Sequence, residues 1–538
     1  MNRRAWFSLA ALLAGASLLL SSAVGQASST KFKQGGTLRV ALPVVDVDDI
    51  DPTLAYGTVS WHIEQATALK LVNYPDAPTP RGSRLVLEGA SSYKVSNGGR
   101  TYTFTIRKGF RFSNGARVTA RNYAYAINRS LSHELQSPAF FFVADSNAVD
   151  IVGAQAVREG RAISARGVRV RGNKLVIQLT RPDGRFLAIL AMPFFQAIPL
   201  TLSRQTKVTD VDAAHPLRSA GPYYVSERTP NQSIELRRNP YYRGARPRRL
   251  GRIEIAIARN LDAAYQDVRS GRADYTYTLP SGALAELGRE YGLQGRFRVR
   301  PASCMNYLVL NTSGALFRDN PQLRQAVNFV LDRTAMVGLG GQYTRLPTDQ
   351  YLPRGFPGFR DVQAYPFEPD VAKAQALAQG HVPSGGPWRY VFGLEGVGPQ
   401  RMELVRAQLR KIGIEIDPQG FRGFNIYDAI AKGAFDFGTF AFCPGYADPA
   451  DVIRGLLRVA RFDDPVYNRR LERADSLTGA ARLTAFANLD RDLVTGPAPL
   501  AAWSQSTNQF FFSDRVNMGG FVYQPVYESP PYNLLALK

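Results

Sequence analysis

GRTYTFTIRKGFRFSNGARVTARNYAYAINRSL, residues 99–131, decides how this 538-residue chain is read. Thr101, Thr103 and Thr105 alternate with Tyr102, Phe104 and Ile106, a period of two that predicts a strand with one buried face. Lys108-Gly109 and Ser113-Asn114-Gly115 are turn signals, and Phe110 and Phe112 between them predict a short second strand. Thr119 then offers an N-cap, and Ala120, Tyr123, Ala124, Ile127 and Leu131 recur at helical spacing. By pattern alone this is a hairpin followed by a surface helix.

Upstream, Leu38, Val40 and Leu42 alternate with Thr37, Arg39 and Ala41, predicting an opening strand, and residues 61–71 have helical spacing. Further upstream, Arg3 and Arg4 precede an apolar run over 9–20 and small residues over 21–27, the pattern of an export signal cleaved after Gly25 or Ala27. The run is short for a membrane anchor, and no Cys near the cleavage point offers a lipid attachment site. Export places the mature chain in the periplasm or outside the cell.

Downstream, alternating segments at 168–171 and 175–180 flank Gly172-Asn173, a two-residue hairpin signal. Residues 297–300 and 307–310 predict two separate strands joined by Pro301-Ala302-Ser303-Cys304, taken as a lobe crossover. Strands at 389–394 and 414–416 flank a helix at 399–412 with Met402, Val405, Leu409 and Ile412 inward, a βαβ unit that predicts parallel pairing. A strand at 435–442, two helices near 467–477 and 480–493, and a return strand at 498–503 complete this part. The tail from 510 to 538, rich in Tyr, Pro and Phe, is expected to pack back on the first lobe.

The chain is too long for one ordinary core, so two or three domains are expected. Its 45% hydrophobic and 20% charged content fits a folded soluble protein. A net charge of +22 raises the question of nucleic acid. The arginines are spread singly, however, with the densest cluster at 243–252 and no basic run interleaved with aromatics, so a solvated basic surface is the reading adopted. The four His residues lie far apart, and two Cys do not make a structural zinc site. No G-x-S-x-G elbow or Walker loop is present. Gly393-Leu394-Glu395-Gly396-Val397-Gly398, between strand and helix, is either a plain βα turn or a place where backbone N–H groups meet a carboxylate.

Open α/β sheets bind ligands beyond the carboxyl ends of strands, and two-domain proteins bind between lobes. Three loops qualify, at 54–61, 303–307 and 442–448. They put forward Tyr56, Trp61, Asn306, Phe442 and Tyr446 to stack or donate and Asp448 to accept from a ligand amine, while Tyr307, which starts an apolar strand, reads as core.

The opening stretch closely resembles the signature of extracytoplasmic solute-binding proteins of the peptide/nickel-type ABC transporter class. The residues that carry it are Thr103 to Arg107, Lys108-Gly109, Phe112 to Gly115, and Thr119-Ala120 with Tyr125 and Arg129. Gly35 to Ala41 with Asp51-Pro52, then Arg181-Pro182-Asp183, Gly221-Pro222-Tyr223 and Arg238 to Tyr242 follow in the same order. The resemblance implies an α/β, two-lobed periplasmic-binding-protein-like type II fold with an additional small domain inserted in the first lobe. The divisions it implies are a signal peptide at 1–27, lobe I at 28–302 with an insertion at about 75–220, lobe II at 303–498, and a return to lobe I at 499–538.

It further implies a monomer that traps a peptide or similar extended small solute by hinge closure and hands it to a membrane permease. No catalysis, cofactor, resident metal or nucleic acid is implied. The alternatives are a binding protein of the same fold for an oligosaccharide, opine or metal chelate, and an exported hydrolase. Peptide-binding members carry G-W-x-A-D-Y-x-D-P after the strand at 435–442, and the first Asp holds the peptide amine. Here the sequence is Gly445-Tyr446-Ala447-Asp448-Pro449, with one Asp that matches either the amine anchor or the structural Asp before Pro. The implied fold also runs the strand entering the second lobe antiparallel to the one ending at Cys443. Cys304 and Cys443 are therefore either a disulfide or two buried thiols.

Overall fold

The computed structural model describes residues 32–43, 46–144, 149–423 and 425–538, so the export segment lies outside the described residues. One sheet of eleven strands runs through the molecule. Its path is Ile416–Phe421, Trp388–Gly393, Phe437–Phe442, Phe297–Leu310, Leu500–Phe512, Tyr275–Tyr277, Thr37–Pro43, Arg252–Ala258, Ser233–Arg238 and Tyr223–Thr229, with Arg345–Pro347 added beside Leu500–Phe512. The two long central strands belong to both halves. Phe297 to Pro301 pairs antiparallel with Phe511 to Thr507, and Tyr307 to Val309 pairs with Ala502 to Leu500.

At one end of the sheet, Trp388–Gly393 lies parallel to Ile416–Phe421 and to Phe437–Phe442. The helix Gly398–Arg410 joins the first pair and buries Met402, Val405 and Leu409. The core of this half runs from Met305 to Trp503. The other half holds separate cores, one around Leu38, Ile255 and Phe512 and one around Tyr265, Leu287 and Phe511.

A separate four-stranded sheet, ordered Ala90–Ser96, Thr101–Ile106, Lys174–Gln178 and Val168–Arg171, is the inserted domain. Thr101–Ile106 is half-buried by strict alternation, with Tyr102, Phe104 and Ile106 inward. Each such side chain contributes about 2–3 kcal/mol on burial. The helix Ala120–Ser130 follows, and Thr119 at its N-cap donates its N–H to Asn122 Oδ1 at 2.9 Å. Arg129, on that helix, reaches Asp51 with Nη1–Oδ1 2.5 Å and Nη2–Oδ2 2.6 Å, both side chains fully buried. Burial raises the Asp51 carboxyl, but the Arg129 guanidinium outweighs it and holds the group below its ordinary value.

Several local expectations are corrected. Phe110 and Phe112 are buried, yet the segment makes only an isolated bridge between Arg111 and Arg117 rather than a strand, because the turns at either side leave no room for a ladder. Residues 297–310 form one strand rather than two, since Pro301 sits at an irregularity where its missing N–H is tolerated. The first helix is Thr58–Thr67, shorter than 61–71 suggested. The strand expected at 414–416 begins at Ile416 and runs to Phe421. The return strand expected to end at Trp503 continues to Phe512, where Phe510 to Phe512 pair with Tyr277 to Tyr275.

Candidate functional site

The two long strands fall out of register twice where they pass between the halves. Pro301 faces Thr507 and Met305 faces Gln505, so Ala302, Ser303 and Cys304 oppose Ser506 alone. Asn306 faces Ser504 and Tyr307 faces Ala502, which leaves Trp503 as an extra residue. Bulges of this kind bend a strand and re-aim a side chain. Cys304 at the first irregularity is bonded to Cys443, with Cα atoms 4.2 Å apart, which ties the crossing strand to the loop after Phe437–Phe442.

The second irregularity turns Trp503 toward a pocket of about 200 Å³ at the carboxyl ends of Trp388–Gly393 and Phe437–Phe442. Asn306, Arg401, Tyr427 and Trp503 are among its lining residues. Asn306 donates from Nδ2 to Ser504 Oγ at 3.2 Å, which fixes its amide across the bulge. Arg401 stands in the first turn of Gly398–Arg410, its guanidinium carbon 4.6 Å from the Trp503 ring centroid. Arg345 approaches the same ring at 5.9 Å. Burial, and then the Arg345 charge, push the Arg401 guanidinium down to about 10. In the Gly393–Gly398 loop the amide of Leu394 bonds to Phe421 O and that of Gly398 to Glu395 O, so these two N–H groups are engaged within the turn.

A second group of expected residues lies in an aromatic cluster. Tyr56 is 41% exposed and packs against Trp61, Phe142 and Phe194 at centroid distances of 5.8, 6.1 and 5.9 Å. Trp61 Nε1 donates to Ala55 O at 3.0 Å. Tyr446 meets Phe142 edge-on at 5.8 Å and is buried in the core of the inserted domain, although it belongs to the loop after Phe437–Phe442. The same loop is held by Tyr74, whose hydroxyl donates to Ala447 O at 3.0 Å. Gly445 N–H donates to Asp451 Oδ2 at 2.7 Å, and burial pushes the Asp451 carboxyl up to about 6.

Three expected ligand contacts are engaged elsewhere. Asp448 is buried: Oδ1 accepts from Ala450 N–H at 2.9 Å, capping the helix Pro449–Val459, and both oxygens meet Arg482. Both oxygens of that carboxylate are thus engaged, by the helix end and by the guanidinium. Phe442 packs against the same helix at Gly455, where an added Cβ would come within 2.7 Å of its ring. Tyr446 is likewise covered by the inserted domain. Thus Tyr56 and Trp61 come together in an aromatic cluster, Asn306 lines a pocket elsewhere, and Arg345, Arg401 and Trp503 are functional candidates that pattern reading missed. The nearest signal was the Gly-rich turn three residues before Arg401.

Residues 84–463 match the family described as bacterial extracellular solute-binding proteins, family 5 (middle). The chain is 24% identical over 466 residues to heme-binding protein A of Haemophilus influenzae, covering 81% of each. It is 26% identical over 336 residues to the oligopeptide-binding protein OppA of Bacillus subtilis, covering 61% of this chain and 58% of that one. Its fold matches an unliganded open form of the periplasmic murein tripeptide binding protein MppA with a TM-score of 0.80 at 21% identity, over 94% of this chain and 99% of the other.

Proposed function

The chain belongs to the bacterial extracellular solute-binding proteins of family 5, and from that premise we propose that it captures a small solute between its lobes and delivers it to the permease of an ABC importer. The observation that carries this reading is the pair of long strands passing between the halves beside the pocket at Asn306, Arg401 and Trp503. A cleft bordered by two such strands closes by small backbone changes at their irregularities, which is how hinge-type binding proteins trap a ligand.

In this reading the protein is exported by cleavage of 1–27, acts as a monomer outside the cytoplasm, and performs no chemistry on its solute. Lobe I comprises 28–302 with its insertion at about 75–220, lobe II 303–498, and 499–538 returns to lobe I; separate cores on either side of the crossing support two lobes, although Leu500 to Trp503 still pack in the core that begins at Met305. Tyr56 and Trp61 supply an aromatic wall from lobe I, and Asn306 contributes from lobe II. A peptide remains one candidate class of solute. Native mass spectrometry of protein purified from its own cells tests the proposal. A retained small molecule supports it, and turnover of that molecule by the purified protein would replace it with a hydrolase.

A further inference from the structure

A separate pocket of about 610 Å³ opens where the short sheet of Val72–Asn73 and Val86–Leu87 meets the loop over 242–247. Its lining residues fall within 73–110 and 242–247, with Leu534 from the tail. None comes from 303–498, so the pocket is built without the second lobe and lies apart from the one at Trp503. Its volume is that of a small-molecule site. Val86, Leu87, Phe110, Tyr242 and Leu534 give it an apolar wall, with the Phe110 and Tyr242 ring centroids 6.0 Å apart. Val86 is left 43% exposed.

Charge at the floor is balanced. Arg246 donates from Nε to Asp76 Oδ2 at 2.8 Å and stands 3.6 Å from Glu88 Oε1. Behind it lies Lys70, fully buried, which donates from Nζ to Tyr527 Oη. The Lys70 backbone N–H and Asn73 Nδ2 donate to Glu88 Oε2 at 3.1 and 3.2 Å. Two cations thus accompany two carboxylates. The other charged lining residues, Arg81, Arg107 and Arg243, are exposed, and none has a carboxylate within ion-pair distance among the described residues. Arg107 Nε donates to Glu88 O at 3.1 Å, and Arg243 Nη1 to Pro240 O and Tyr242 O at 3.2 Å. Bonds to backbone carbonyls fix these guanidiniums without neutralising them. The basic cluster at 243–252 therefore divides, with Arg246 paired at the floor and Arg243 unpaired at the rim.

Apolar surface left in water beside unneutralised guanidiniums favours a ligand that has both an apolar body and a negative end. Burial of the body against the wall supplies affinity, and a planar guanidinium fork suits carboxylate oxygens. The uncompensated positive rim disfavours a cationic ligand. We propose that this pocket is a second binding site, which takes a single-chain amphiphile with an anionic head, such as a fatty-acid anion. Its tail lies against Val86, Phe110 and Tyr242, and its head meets Arg81, Arg107 and Arg243. Because one lobe builds the pocket, occupancy is independent of hinge closure on the transported solute.

The test is calorimetric titration of the mature protein with decanoate, below the concentration at which it forms micelles, beside 1-decanol and acetate. Saturable binding of decanoate is expected, at least about fivefold tighter than decanol and unmatched by acetate. Arg243→Glu and Val86→Asp should each weaken decanoate by about tenfold, and Arg243→Lys, which keeps the charge, by less. Both positions are exposed, and circular dichroism checks that the variants are folded. No saturable binding, equal affinity for decanol, or undiminished affinity in folded Arg243→Glu and Val86→Asp overturns the proposal. Displacement of decanoate by the co-purified solute also overturns it, since that places decanoate in the interlobe cleft, yet it leaves solute capture standing.

Discussion

Asp448 and Arg482 form a buried bidentate ion pair, with Oδ1 2.7 Å from Nη2 and Oδ2 3.0 Å from Nε. Their side chains are 6% and 3% exposed. This pair joins the loop after Phe437–Phe442 to the helix Gly479–Thr495, and it gives the Asp before Pro449 a structural task.

Asp448→Asn should therefore lower stability while leaving ligand retention intact. The expected loss is about 3 kcal/mol, at the low end for a broken buried pair because Asp475 still faces Arg482 at 3.2 Å. Urea unfolding measures the loss, and native mass spectrometry measures retention. Loss of the bound solute at unchanged stability would make Asp448 a ligand residue.

The disulfide closes a loop between positions 139 residues apart. Thiol titration of denatured, unreduced protein should find no free thiol. Replacing both Cys304 and Cys443 by Ala should reduce unfolding free energy by about 4–5 kcal/mol in the chain-entropy model. Two titratable thiols would contradict the bond.

Hinge closure about the strand irregularities at Ala302–Cys304 and Trp503 predicts a smaller radius of gyration on saturation with solute. Small-angle scattering with and without the co-purified molecule checks it. An unchanged radius, with the unliganded protein as extended as the liganded one, argues against hinge trapping.

Asp490 makes stability depend on pH. Burial pushes its carboxyl up to about 7, although it accepts from Tyr351 N–H at 3.2 Å and Gln350 Nε2 at 3.3 Å. The raised value means that the folded state binds the proton more tightly than the unfolded chain. The contribution is therefore complete below the ordinary carboxylate range and is lost as pH rises through about 7. Unfolding free energy of the natural protein should fall between about pH 4 and 7 relative to Asp490→Asn. Parallel pH profiles would count against a neutral buried Asp490.

Local pattern was enough for much of the architecture. The alternation over Thr101–Ile106, the cap at Thr119 and the turn at Gly172-Asn173 report burial that repeats with the period of the element itself. Arg129 and the Asp51-Pro52 dipeptide were also legible as motif members, but only the folded chain reveals that they bond to each other. The division of 297–310 into two strands was wrong because a bulge keeps a ladder going past residues whose local preferences would end it. The site was hardest to read. Arg401, Arg345 and Trp503 lie on a helix, a short strand and a long strand that are distant in sequence, and each alone has the look of an ordinary surface Arg or core Trp. Sequence determined which segments bury one face, since that depends on neighbours along the chain. Tertiary structure decided which charges are paired, giving Asp448 a partner and leaving Arg401 without a carboxylate partner among the described residues, since an ion pair depends on distance in space and on how much water the surrounding chain excludes.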